Sequence, residues 1–123
     1  MTWEKILTLA RSEVGETIAM LPEKFRAHAS AMPVVYERVP NAALVQDEIE
    51  PDTLGLFVGP AFADEASTQA GVPSQIILFL ENIWEVVEEN VEEFRIEVRR
   101  TFLHELGHYL GLDEDELDAR GLL

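Results

Sequence analysis

Residues 91–110 constrain this chain more than any other segment. Asn90 and Glu93 stand at capping-box spacing. Gly111 is the residue type that most readily ends a helix in a left-handed turn. The pattern predicts one long helix over 91–110. On a wheel at about 100° per residue with His104 at zero, His108 falls near 40° and Glu105 near 100°. Ile96, Phe102, Leu103, Leu106 and Leu110 occupy the arc between about 160° and 280°. The two histidines therefore face away from the apolar centre. Arg95 and Arg99 are the misfit, because they fall inside the apolar arc. Either their stems lie along the edge of the core or the helix begins later.

The rest of the chain supplies the layer that such a helix packs on. Trp3, Ile6, Leu7, Ala10, Val14, Ile18 and Leu21 recur at three- and four-residue steps, a first amphipathic helix capped by Thr2 and stopped by Pro22. Strands are expected at 33–39, 54–59 and 75–80, the last (QIILFL) apolar enough to be buried. The polar, acidic stretch 41–53 reads as loop with room for a helical turn, and 59–74 as a long surface loop. Asn82 with Glu85 has the spacing to open a short helix, and Glu114–Arg120 forms a last one. The order predicts an α+β fold, about three strands backed by helices. Residues 1–123 read as a single unit, since neither half could bury a core alone.

Composition removes several function classes. The chain has no cysteine, so disulfide frameworks, cysteine-ligated zinc fingers and cysteine nucleophiles are excluded. With 9 Lys and Arg against 24 Asp and Glu, the formal charge is −15. Such a surface repels phosphate, so neither nucleic acid nor an anionic membrane is an expected partner. Charged residues interrupt the first fourteen positions where a signal peptide needs an apolar run, and no window is apolar enough to span a membrane. A cytoplasmic protein is the expectation.

Residues 104–111 read His-Glu-Leu-Gly-His-Tyr-Leu-Gly. Histidines at i and i+4 lie about one helical turn apart on one face, so both imidazoles can reach one ion. The glutamate after the first histidine points beside that ion, where it can take a proton from water. A zinc hydrolase needs a third protein ligand and keeps one position for water. Gly111 turns the chain back toward the ion, and Asp113, Glu114, Asp115, Glu116 and Asp118 follow it. Acids also collect at helix starts for dipole reasons alone.

This segment resembles the zincin metallopeptidases, and within them the metzincin pattern His-Glu-x-x-His-x-x-Gly-x-x-His/Asp. Glu114 stands at the position of the third ligand, with Asp113 and Asp115 as rivals. The chain is similar in particular to a minimal bacterial zincin-like family, small acidic proteins in which the motif is followed by an acidic cluster. Further points of likeness are the N-terminal helix, the strand from Gly55 to Gly59, the Pro73–Leu80 strand and the glutamate-rich lead into the motif. The resemblance implies a small zincin-like fold with the motif on an active-site helix. It also implies one Zn2+ held by His104, His108 and Glu114, Glu105 as general base, and a peptide or unstructured protein as substrate. The chain departs from metzincins in lacking a methionine downstream of the motif, its methionines being Met1, Met20 and Met32. Only fifteen residues follow His108, too few for the distant glutamate helix of thermolysin-like enzymes.

Three function classes compete. The first is a zinc peptidase whose substrate adds as a strand beside an edge such as 54–59. The second is a metal-binding module of the same fold without activity. The third, a metal-dependent ribonuclease, is the weakest. Ribosomal-RNA maturation proteins with similarly spaced histidines have three of them and no glutamate after the first, and the charge here opposes RNA. Among other features, the acid-only block between Arg38 and Arg95 favours cationic or neutral peptides if it borders the cleft. Tyr109 could lean toward the water or an oxyanion but more commonly would pack. Trp3 and Trp84 are expected in the core, and His28 has no assigned role.

Overall fold

The computed structural model describes residues 1–62 and 73–121, so most of the loop expected over 59–74 lies outside the described residues. Helix α1 (Trp3–Met20) begins where Thr2 Oγ1 accepts from the Lys5 N–H at 3.2 Å, and it ends before Pro22. It buries Ile6, Ala10 and Val14 as the periodicity requires, together with Glu13 and Thr17. Helix α2 (Glu23–Ala31) was not expected. Its apolar face is short, Phe25 and Ala29, and only Ala29 is fully buried. Tertiary anchoring holds it instead: the Arg26 guanidinium donates to the Leu21 carbonyl at 3.0 Å, at the end of α1. The Pro22 carbonyl, which cannot continue α1, accepts from the N–H groups of Phe25 and Arg26 and starts α2. A short helix α3 (Ala42–Gln46), capped by Asn41, occupies the acidic stretch.

Three strands form one sheet in the order β1-β3-β2, with β1 at Val34–Glu37, β2 at Gly55–Val58 and β3 at Gln75–Phe79. The central strand β3 pairs parallel with β1 (Val35 opposite Ile77) and antiparallel with β2 (Leu56 opposite Ile77). Its apolar run follows from this place: Ile76, Leu78 and Phe79 are fully buried. Among the described residues β2 is an edge strand.

The chain passes from β3 directly into α4 (Leu80–Val86), so the cap expected at Asn82 does not form. Asn82 lies inside the helix, and its amide donates to the carbonyls of Pro51 and Thr53 at 2.8 and 2.9 Å, tying down the approach to β2. Helix α5 (Val91–Leu110) has the expected bounds; Asn90 Oδ1 accepts from the Glu93 N–H at 2.9 Å. It packs against α1, β2 and β3. Arg95 and Arg99 lie in its apolar arc because they meet a carboxylate there. Arg95 Nε is 3.2 Å and Arg99 Nη1 3.3 Å from the oxygens of buried Glu13 on α1. Trp3 and Trp84 are partly buried against the core, Trp84 edge-on to Phe94. Among the described residues, no helix is long and apolar enough to cross a membrane.

Candidate metal centre

One turn of α5 carries His104, Glu105 and His108, and their donor atoms lie within 4.8 Å of one another. The imidazoles meet edge-on with centroids 4.6 Å apart. Both are partly open to solvent, whereas Glu105 is only 6% exposed. Its carboxylate reaches both rings: Oε2 is 3.9 Å from His104 Nε2 and Oε1 is 3.4 Å from His108 Nδ1. The burial has a local cause. The wheel places Glu105 between the histidine face and the apolar arc, and β2 covers that border. A Cβ at Gly55 would stand 2.6 Å from Thr101 Cγ2 and 3.3 Å from Glu105 Cγ, so only a glycine lets the strand lie this close.

The turn after the motif brings the acids back. Gly111 adopts φ 73°, the left-handed cap that the sequence implied, and the Leu112 N–H donates to the Gly107 carbonyl at 2.8 Å. Helix α6 (Glu114–Ala119) then folds onto α5, with buried Leu117 against Gly107. A Cβ on Gly107 would meet Leu117 Cδ1 at 2.6 Å, so the glycine inside the motif makes room for α6.

The three rival acids are separated by what each one does. Asp113 is committed to the cap, where Oδ1 accepts from the Glu116 N–H at 2.8 Å and Glu116 returns the bond. Asp115 forms no ion pair among the described residues. Glu114 reaches the site: its Oε1 lies 3.0 Å from His104 Nδ1, on the side of the ring away from Glu105. It touches one histidine and stands outside the tight group that the other three form. The cleft here, about 510 Å³, runs between α5 and α6 and is lined by both histidines, Leu112, Asp113 and Glu114.

Two imidazoles with a carboxylate between them are a donor set that zinc takes. A carboxylate buried with no permanent cation beside it is where a divalent ion would be stabilised. The residues present fit such an ion. Of two features of the surroundings, the packing of Tyr109 follows the commoner expectation, and the place of His28 escaped the sequence. Tyr109 is buried with its ring between those of Phe57 and Phe62, at 5.8 and 5.9 Å, so it packs. His28, 81 residues before Tyr109 in the sequence, joins the same cluster, 4.3 Å from Phe62. Nothing local signals that partnership.

No curated protein matches this chain. The family model described as zincin-like metallopeptidase matches residues 29–122, a span that takes in the sheet, the motif helix and α6. With that match over most of its length, the chain belongs to the zincin-like metallopeptidase family.

Proposed function

We propose that this protein is a zinc-dependent peptidase with Glu105 as its general base. The observation that carries the reading is the buried Glu105 carboxylate lying against both motif histidines. In this reading His104 and His108 hold the ion, and Glu114 completes the protein ligands because it alone of the three rival acids stands against a motif histidine. Zinc, when bound, would polarise the scissile carbonyl and make an adjacent water more acidic. Glu105 takes the proton from that water and passes it to the leaving amine. Burial serves this step, because it fixes the carboxylate and keeps bulk water from competing for it.

β2 supplies a means of holding the substrate. Among the described residues it pairs with β3 only, and it packs directly over Glu105 through Gly55. An extended peptide that adds along its open edge would be held by main-chain hydrogen bonds beside the histidines. The test is Glu105→Gln. Zinc affinity should stay within a few-fold while the rate of hydrolysis of an unstructured peptide falls by about 100- to 10,000-fold. Equal rates in the two proteins would end the proposal. Absence of hydrolysis from both, with a chelator lowering the unfolding midpoint, would leave a metal-binding module.

A further inference from the structure

A second cavity, of about 240 Å³, adjoins the metal-site cleft and shares Leu112 with it. Phe25, Phe62, Leu110 and Leu112 give it apolar walls, and Lys24, His28 and Arg120 complete them. Among the described residues, no carboxylate lines it. That composition stands out in a chain with 24 acidic and 9 basic residues. The adjoining cleft, by contrast, carries Asp113 and Glu114 on its wall. The described residues of the two neighbouring cavities thus carry opposite signs, and their order along a bound chain would select for charge pattern as well as size.

The apolar wall is preformed. Phe62 is 47% exposed, yet its ring is held between His28 at 4.3 Å and Tyr109 at 5.9 Å. Keeping an aromatic face in water is unfavourable by roughly 25 cal/mol per Å², which an apolar guest would recover. Lys24 Nζ lies 5.0 Å from the centre of the Phe25 ring, beside that wall. Arg120 is partly engaged, 4.0 Å from the Glu116 carboxylate, whereas the ion pairs among the described residues do not include Lys24. Lys24, Phe25 and His28 all precede the span that the family model matches.

We propose that this cavity binds an apolar side chain, best an aromatic one, together with a carboxylate, and that it is a specificity pocket of the peptidase. The second half of the statement rests on the function proposed above. A peptide can present the pair in two ways: an apolar residue next to Asp or Glu, or a C-terminal residue with its own α-carboxylate. Both place a ring on Phe62 and an anion near Lys24.

The test separates these sources, and separates the pocket from the peptidase reading. The full chain, with uniform 15N label, is titrated with N-acetyl-phenylalanine, with its C-terminal amide, and with the amide-capped dipeptide Phe-Asp. The free acid should shift the amide resonances of Lys24, His28 and Leu112 and bind about two- to fivefold tighter than the neutral amide, the increment of one partly exposed charge pair. Capped Phe-Asp binding as well as the free acid would assign the carboxylate to a neighbouring side chain, and binding like the neutral amide would assign it to a chain terminus. Lys24→Glu, at an exposed position, should abolish the preference with the fold intact. Equal binding of acid and amide, or shifts that avoid these residues, would overturn the pocket. If peptides are cleaved with equal kcat/KM whether or not they carry the carboxylate, the pocket fails and the peptidase stands. If the titration selects the carboxylate and no peptide is cleaved, the pocket stands and the peptidase fails.

Discussion

Two buried carboxylates, one on α5 and one packed against it, differ in one respect of their surroundings. Glu13, on α1, is 5% exposed and Glu105 6%. Glu13 lies against the guanidiniums of Arg95 and Arg99, which are permanent cations. Glu105 lies against His104 and His108, which are cations only when protonated. The first carboxylate is neutralised by the fold itself and joins α1 to α5. The second is placed where charge balance calls for something from outside. Equal burial therefore serves opposite ends: a closed ion pair stabilises, and, on the function proposed above, a half-finished one takes up a metal ion.

The largest expected effects test the unfinished end. Replacing His104 or His108 by alanine should lower zinc affinity by at least about a hundredfold. Four-ligand zinc sites bind with about 10–16 kcal/mol, roughly 3 kcal/mol per ligand. Competition with a chromophoric chelator measures it. Glu114→Ala should lose as much if its carboxylate is a ligand, and only about 10- to 100-fold if it merely orients His104 through Nδ1. An unchanged affinity would remove Glu114 from the site.

The closed end gives a smaller effect with an asymmetry that can be read. Arg95→Ala with Arg99→Ala leaves Glu13 buried without a cation and should cost about 3 kcal/mol in urea unfolding. Glu13→Ala removes the buried charge and leaves two half-exposed guanidiniums that water can solvate, so its cost should be about 1–2 kcal/mol. Neither change should alter zinc affinity. A parallel fall in affinity would mean that the two carboxylates are coupled along α5, and the distinction between them would collapse.

What could be read beforehand divides along the same line. The long helix, its caps at Asn90 and Gly111, the three strands and the motif were legible because each rests on neighbours in the chain. Helix α2 was not, since its partners are the Leu21 carbonyl and the packing of Ala29 rather than a long periodic face of its own. The Asn82 spacing misled because the apolar run of β3 continues into the helix, leaving the amide to serve the 51–53 turn. At the site, the wheel placed both histidines correctly on an open face, but the burial of Glu105 depends on β2 and Gly55, about fifty residues away in the chain. Arg95 and Arg99 looked anomalous for the same reason: the carboxylate that explains them is on α1.

Tyr36 on β1 extends the comparison to a group that starts neutral, and its effect is the smallest expected. Burial pushes its pKa above the ordinary value of 10.0, and the nearby Arg11 guanidinium, 5.7 Å from the ring, opposes that without overcoming it. Desolvation wins here because the neutral phenol needs no partner, whereas Glu13 is charged and has two. The sign follows from linkage. Below the unfolded value both states keep the proton, and the contribution to stability is fully present. As pH rises past it the unfolded chain ionises first, and the contribution is lost as pH climbs through the folded value. Thermal midpoints followed from about pH 9 to 11 should therefore fall more steeply in the native sequence than in Tyr36→Phe, a comparison that cancels the lysines titrating in the same range. Arg11→Ala should steepen the native slope, because it removes the one influence that holds the phenol down. Identical slopes in all three proteins would mean that the ring is solvated after all, and that burial on this face of the sheet does not act on ionisation.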